Sequence, residues 1–248
     1  MNILSTSPFE QFSITKLISL KLFIFDFSIT NSAIFMVWTL IIYLIVLFVL
    51  NKGFLVPTIW QSFMELISLQ ILSMVYENIG DGKYLCLIWT LFLQLTIMNL
   101  VGIIPYTFTP TAHVIIAMSM SFAVFISVVY LGFEKYGLNY LASLMPYSSP
   151  MILSWMLVMI EFVSQLAKGI SLGVRLAANI TAGHLLFAIL SGFIYTMLCS
   201  NIVIKILSLF PIIIIVFITI LEIAVALIQA YVFSILTSIY IKDSIVLH

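Results

Sequence analysis

From Met151 to Thr196 the chain runs about 46 residues without a proline, and its apolar pattern continues past Glu161, Lys168, Arg175, Asn179 and His184. As one helix rising about 1.5 Å per residue, that stretch reaches roughly 70 Å, over twice a hydrocarbon core of about 30 Å. Asn201 to Lys242 is a second such stretch, about 60 Å long as a helix, with Pro211 expected to kink its first turns. Splitting either into two conventional spans would call for a polar loop in its middle, and neither has one of the expected kind. The pattern therefore predicts residues 151–242 to be a hairpin of two long, steeply tilted intramembrane helices.

Composition sets the medium. The chain is 64% hydrophobic and 7% charged, against about 25% charged for an average soluble domain. Backbone groups in lipid must be satisfied within a helix or a closed barrel, and continuous rather than alternating apolar runs remove the barrel. The fold class is all-α, polytopic, in a single membrane domain over residues 1–248. An N-terminal segment of mixed polarity covers 1–32, and the first transmembrane helix spans 33–50, closed by Asn51-Lys52-Gly53. Within 57–79, Trp60, Phe63, Ile67, Ile71 and Met74 recur at steps of three and four, while Gln61, Glu65, Ser68 and Glu77 take other faces. That is an amphipathic helix expected to lie on the interface. Gly80-Asp81-Gly82 reads as a turn. Residues 84–132 hold a transmembrane pair joined by the Pro105–Pro110 segment, and Gly132 to Pro150 forms the next connection.

Several functions are excluded cheaply. Net charge is zero and no basic tract exists, so nucleic acid is not an expected partner. Cys86 and Cys199 are isolated and read as packing residues. Three histidines cannot ligate two bis-histidine haems, and phosphate-loop, zinc-protease and nucleophile-elbow motifs are missing. No cofactor, metal or catalytic residue is expected. The N-terminus lacks the layout of a signal or transit peptide.

Arg175 is the only arginine, and it stands in the middle of the first long stretch. Such a residue costs roughly 2.5–3.5 kcal/mol at a helix centre on insertion scales, and guanidinium keeps its proton there. Glu161, Lys168, Arg175 and Asn179 follow one another by seven, seven and four residues, which puts them on one helical stripe. Gly169, Gly173 and Ala177 occupy an adjoining face, where small side chains let another helix approach. On the second stretch Glu222 and Gln229 are seven apart, and Asp243 continues that register. A fixed buried cation among acids, amides and a histidine points to ion handling. The residues alone leave other readings open. Arg175 and Glu222 could be structural, His184 a packing histidine, Asn179 and Gln229 interhelical glue, and Lys168 a side chain snorkelling to an interface.

The run Ile170 to Leu186, with Ser171-Leu172, Arg175-Leu176, Asn179 and Ala182-Gly183-His184, closely resembles subunit a of F-type ATP synthases. The mitochondrial form of that family carries an S-L-x-x-R-L-x-x-N-x-x-A-G-H-x-L signature. Further likeness lies in Leu221-Glu222, Gln229 to Phe233, Leu236-Thr237, the tail Tyr240 to His248, Ser7 to Phe12 and Ile104-Pro105-Tyr106.

The resemblance implies a proton-translocating stator subunit that offers two offset half-channels to a rotating proteolipid ring, within the mitochondrial inner membrane. Its partners would be that ring, other membrane and peripheral-stalk subunits, the bilayer and the transported protons. Arg175 matches the essential arginine, with Asn179 and Gln229 its neighbours. His184 and Glu222 match the half-channel on the intermembrane-space side, and Glu161 and Asp243 the matrix half-channel. Lys168 stands where relatives often carry a second arginine. The rivals are a secondary transporter with an intramembrane Arg–Glu site and a non-conducting subunit of a respiratory complex. A transporter should show repeated halves and broken helices, and no repeat is visible.

Overall fold

Apolar runs without internal proline become helices wherever the chain is described, which in this computed structural model is residues 12–19, 21–22, 25–26, 28–50, 58–104, 107–137, 140 and 154–245. The helices are α1 (Asn31–Leu50), α2 (Ile59–Ile79), α3 (Leu85–Ile103), α4 (Val114–Tyr136), α5 (Ser154–Leu198), α6 (Ile202–Leu207) and α7 (Leu209–Ile245). Among the described residues five helical stretches are long and apolar enough to cross a membrane: Asn31–Phe48, Gly82–Ile103, Val114–Tyr136, Met156–Leu198 and Ile202–Ile245. The chain is an all-α polytopic membrane protein.

The two long segments are helical as expected. α5 runs 45 residues without interruption, about 68 Å of axis. α7 runs 37 residues, about 56 Å. A single turn residue, Ser208, separates α6 from α7 three positions before Pro211. Pro211 then falls in the first turn of α7, where its missing N–H removes no helical hydrogen bond.

Turn chemistry explains the ends of α2. Thr58 accepts a hydrogen bond from the Gln61 backbone N–H through Oγ1 at 3.4 Å. Gly80 ends the helix at φ +79°, a left-handed conformation that favours glycine.

The N-terminal segment holds strands that the apolar pattern does not announce. β1 (Lys16–Ile18) pairs antiparallel with β4 (Ile29–Thr30), and β2 (Lys21–Leu22) with β3 (Phe25–Asp26).

The chain divides into two compact units. One comprises Met1–Val46, Gln94–His113 and Leu176–Gln229; the other comprises Leu47–Leu93, Val114–Arg175 and Ala230–His248. The first buries Leu95, Met98, Phe108, Leu176, Ile180 and Ala226. The second buries Ile71, Val75, Ile88, Val124, Leu172 and Phe233. In the second unit Gly173 carries the close approach that its spacing predicts: a Cβ there would lie 2.6 Å from Ser121 Oγ and 3.0 Å from the Met118 Cα on α4. Several sequence expectations fall outside the described residues: Ser7 to Gln11, Asn51-Lys52-Gly53, Pro105-Tyr106, most of the Gly132–Pro150 connection, residues 151–153, and the tail 246–248.

Candidate functional site

In the first unit α5 and α7 bring His184 and Glu222 together. His184 Nε2 stands 3.7 Å from Glu222 Oε1, with side chains 17% and 8% exposed. That is ion-pair distance if the imidazole carries a proton and just beyond hydrogen-bond range if it does not. Gly183 makes the approach possible, since a Cβ there would sit 3.0 Å from Glu222 Oε1 and 3.3 Å from its Cδ. From the N-terminal segment Phe12 meets the His184 ring edge to face, with centroids 6.3 Å apart at 79°.

Along α5 from His184, Asn179 Nδ2 donates to Gln229 Oε1 on α7 at 2.9 Å. Gln229 is buried, whereas Asn179 lies on an exposed face. Thr181 Oγ1 donates to the Ala112 carbonyl at 2.9 Å, tying α5 to the 3-10 turn Pro110–Ala112. Asn99 on α3 donates to the Ala226 carbonyl at 3.3 Å. The unit also contains buried polar atoms with no hydrogen-bond partner among the described residues: Asn99 Oδ1, Thr111 Oγ1, His113 Nε2, His184 Nε2, Glu222 Oε1 and Gln229 Nε2. Outside the spans, burial lowers the His113 imidazole pKa from its usual value.

In the second unit Lys168 Nζ on α5 pairs with Asp243 Oδ2 on α7 at 3.4 Å. The same ammonium lies 5.7 Å from the centre of the Tyr240 ring, one turn before Asp243. Tyr140, beyond the C-terminus of α4, is buried. Burial pushes its phenol pKa up, and the charges of Asp243 and then Glu161 push it further. Both acids thus lie within electrostatic reach of one buried phenol.

Arg175 belongs to this unit, and its side chain is exposed on α5. No described carboxylate forms an ion pair with it. Among the described residues no cluster of His, Cys, Asp or Glu fits a metal ion.

The expected residues therefore sort by unit: Asn179, His184, Glu222 and Gln229 in the first, and Glu161, Arg175 and Asp243 in the second. Sequence reasoning missed the Lys168–Asp243 pair, whose members are 75 residues apart. It also missed Tyr140 and the contributions of Gly183 and Phe12 to the His184 site. Gly183 stands beside His184 in the signature run, so its position was visible although its contact was not.

A family profile described as ATP synthase A chain matches residues 33–242. The chain is similar to ATP synthase subunit a of Brassica napus, 42% identical over 259 residues, covering 100% of this chain and 99% of the relative. The subunit a of Marchantia polymorpha is 43% identical over 252 residues, covering 99% and 100%. That of Metridium senile is 44% identical over 240 residues, covering 97% and 98%.

Proposed function

This chain belongs to the ATP synthase A chain family, and we propose that Arg175 is the fixed charge at which its stator separates two proton half-channels. Subunits of this family form the proton-translocating stator of the ATP synthase membrane sector, and neither transporter nor inert-subunit chemistry is favoured by likeness over the whole chain.

The observation that carries the assignment is Arg175 itself, exposed on a long apolar helix and unpaired among the described residues. Its counterion is the passing carboxylate of a rotating proteolipid ring. At 4 Å such a pair is worth about 1 kcal/mol in water and about 4 kcal/mol at an effective dielectric of 20. That range favours ionisation of the rotor acid and still permits release at the next step. A guanidinium also repels protons that would leak directly between the half-channels, and it cannot pass a proton on.

His184 and Glu222 form the path on the intermembrane-space side, and Asn179 and Gln229 match the residues that accompany the arginine in the family. Glu161 and Asp243 form the matrix path. Along α5 His184 lies nine residues after Arg175, about 13 Å, and Glu161 fourteen before, about 21 Å. The separation of His184 from Glu161 along one helix supports two offset routes. A proton crossing 100 mV releases roughly 2.3 kcal/mol, which becomes torque only if leakage is blocked. The length of α5 and α7 supports a steep tilt within the membrane, here taken as the mitochondrial inner membrane, with the rotor ring and other synthase subunits as partners. The chain itself supplies no catalytic residue.

Proton pumping and ATP synthesis in inverted membrane vesicles test the reading. Arg175→Lys and Arg175→Ala should both abolish coupled synthesis while assembly survives, and Arg175→Ala should add a passive proton leak. Wild-type rates in Arg175→Ala would leave the arginine as structural glue.

A further inference from the structure

We infer that Phe12 is a positioning residue for His184, held by a strap that Asn31 fastens to the start of α1. Phe12 is the first described residue of the N-terminal segment, and its ring meets the imidazole edge to face. Two of the next three residues, Ser13 and Thr15, are held by Asn31. Its Nδ2 donates to the Ser13 carbonyl at 3.1 Å, and its Oδ1 accepts from the Thr15 N–H at 3.3 Å. Its own backbone N–H donates to the Thr15 carbonyl at 3.2 Å. Pairing of β1 with β4 then continues the strap, with Lys16 opposite Thr30. The whole arrangement lies within the first unit.

The geometry explains why the ring needs holding. An imidazole turns about a soft terminal torsion, and His184 Nε2 stands 3.7 Å from Glu222 Oε1. A small rotation therefore decides whether the two groups reach hydrogen-bond range or lose each other. An aromatic edge contact has an angular preference that an aliphatic side chain of similar volume lacks. Asn31 is equally specific, because it uses both amide ends, and an aspartate there would lose the donor.

The inference rests on the reading of His184 and Glu222 as a proton path. Its test compares Phe12→Leu, Phe12→Tyr, Asn31→Asp and His184→Ala in the assembled complex in membrane vesicles. Two quantities are read: proton pumping per assembled complex, and the rate at which diethyl pyrocarbonate modifies His184, followed by mass spectrometry. Phe12→Leu and Asn31→Asp should lower pumping roughly two- to tenfold, the range an aromatic edge contact supports, and should speed modification of His184. Phe12→Tyr should restore both. Wild-type pumping and reactivity in Phe12→Leu, with transport lost in His184→Ala, would overturn the positioning role alone. Equal losses in Phe12→Leu and Phe12→Tyr would overturn it as well. Wild-type pumping in His184→Ala would overturn the path reading and this inference with it.

Discussion

Glu222 lays its carboxyl group across Gly183, so closely that a Cβ on Gly183 would stand 3.0 Å from Oε1 and 3.4 Å from Cγ. The neighbouring His184 thereby gains its 3.7 Å approach to the same oxygen. The glycine leaves room for an acid to fold back against a helix whose next residue is the acid's partner.

Gly183→Ala should consequently impair transport without harming the helix. Alanine favours a helix interior by roughly 1 kcal/mol over glycine, so α5 is preserved, and a carboxylate end is able to shift by a few tenths of an ångström. That shift disturbs the His184–Glu222 spacing. ATP-driven proton pumping per assembled complex should fall roughly two- to tenfold, equivalent to about 0.4–1.4 kcal/mol, at normal assembly. Unchanged pumping would show that this spacing does not matter.

The Asn179–Gln229 bond predicts an asymmetry between its two partners. Gln229 is 4% exposed and its Nε2 has no partner among the described residues, whereas Asn179 lies on an exposed face. Asn179→Leu strands the buried amide completely, at a cost of about 1–3 kcal/mol. Gln229→Leu removes only the bond, for which intramembrane averages are near 0.6 kcal/mol. Thermal dissociation of the purified complex should rank Asn179→Leu as the more damaging change, with Asn179→Leu/Gln229→Leu recovering part of the loss. The reverse order would disprove the burial asymmetry between the two amides.

The Lys168–Asp243 pair should matter little to stability. Its side chains are 40% and 49% exposed, and such pairs contribute about 0–1 kcal/mol. Lys168→Gln and Asp243→Asn should each assemble with wild-type thermal resistance. Only Asp243→Asn removes an ionisable carboxyl group, so it should reduce coupled ATP synthesis more than Lys168→Gln does. Equal loss in both would point to the ion pair, rather than the acid, as the functional element.

Much of the architecture could be read from residue order. Hydropathy specifies helices by local repetition, so α1, α3, α4, α5 and α7 all form on apolar runs, although α7 begins at Leu209 rather than at Asn201. Small residues at four-residue steps announce a tight helix contact, and Gly173 makes one against Met118 and Ser121. The family likeness first seen in the Arg175 to His184 run is borne out at the level of the family by the profile match and the relatives.

Pairing between distant segments follows different physics. A seven-residue step on a straight helix loses about 20°, and three such steps amount to roughly 60°. Glu222 and Gln229 are accordingly buried together, while Asp243, three steps from Glu222, is exposed and meets Lys168. The crossing of two helices chooses which residues on a stripe find partners, and periodicity within one helix contains no record of that crossing. Asn31 and Phe12 make the same point. One looks like an ordinary polar helix start and the other an ordinary aromatic, until hydrogen bonds to Ser13 and Thr15 carry the chain back to the His184 ring. Local sequence thus accounts for which segments are helical and for the apolar medium they require. The encounters of His184 with Glu222, Phe12 and Gly183 depend on helix register and chain return, which packing settles through contacts between residues far apart in order.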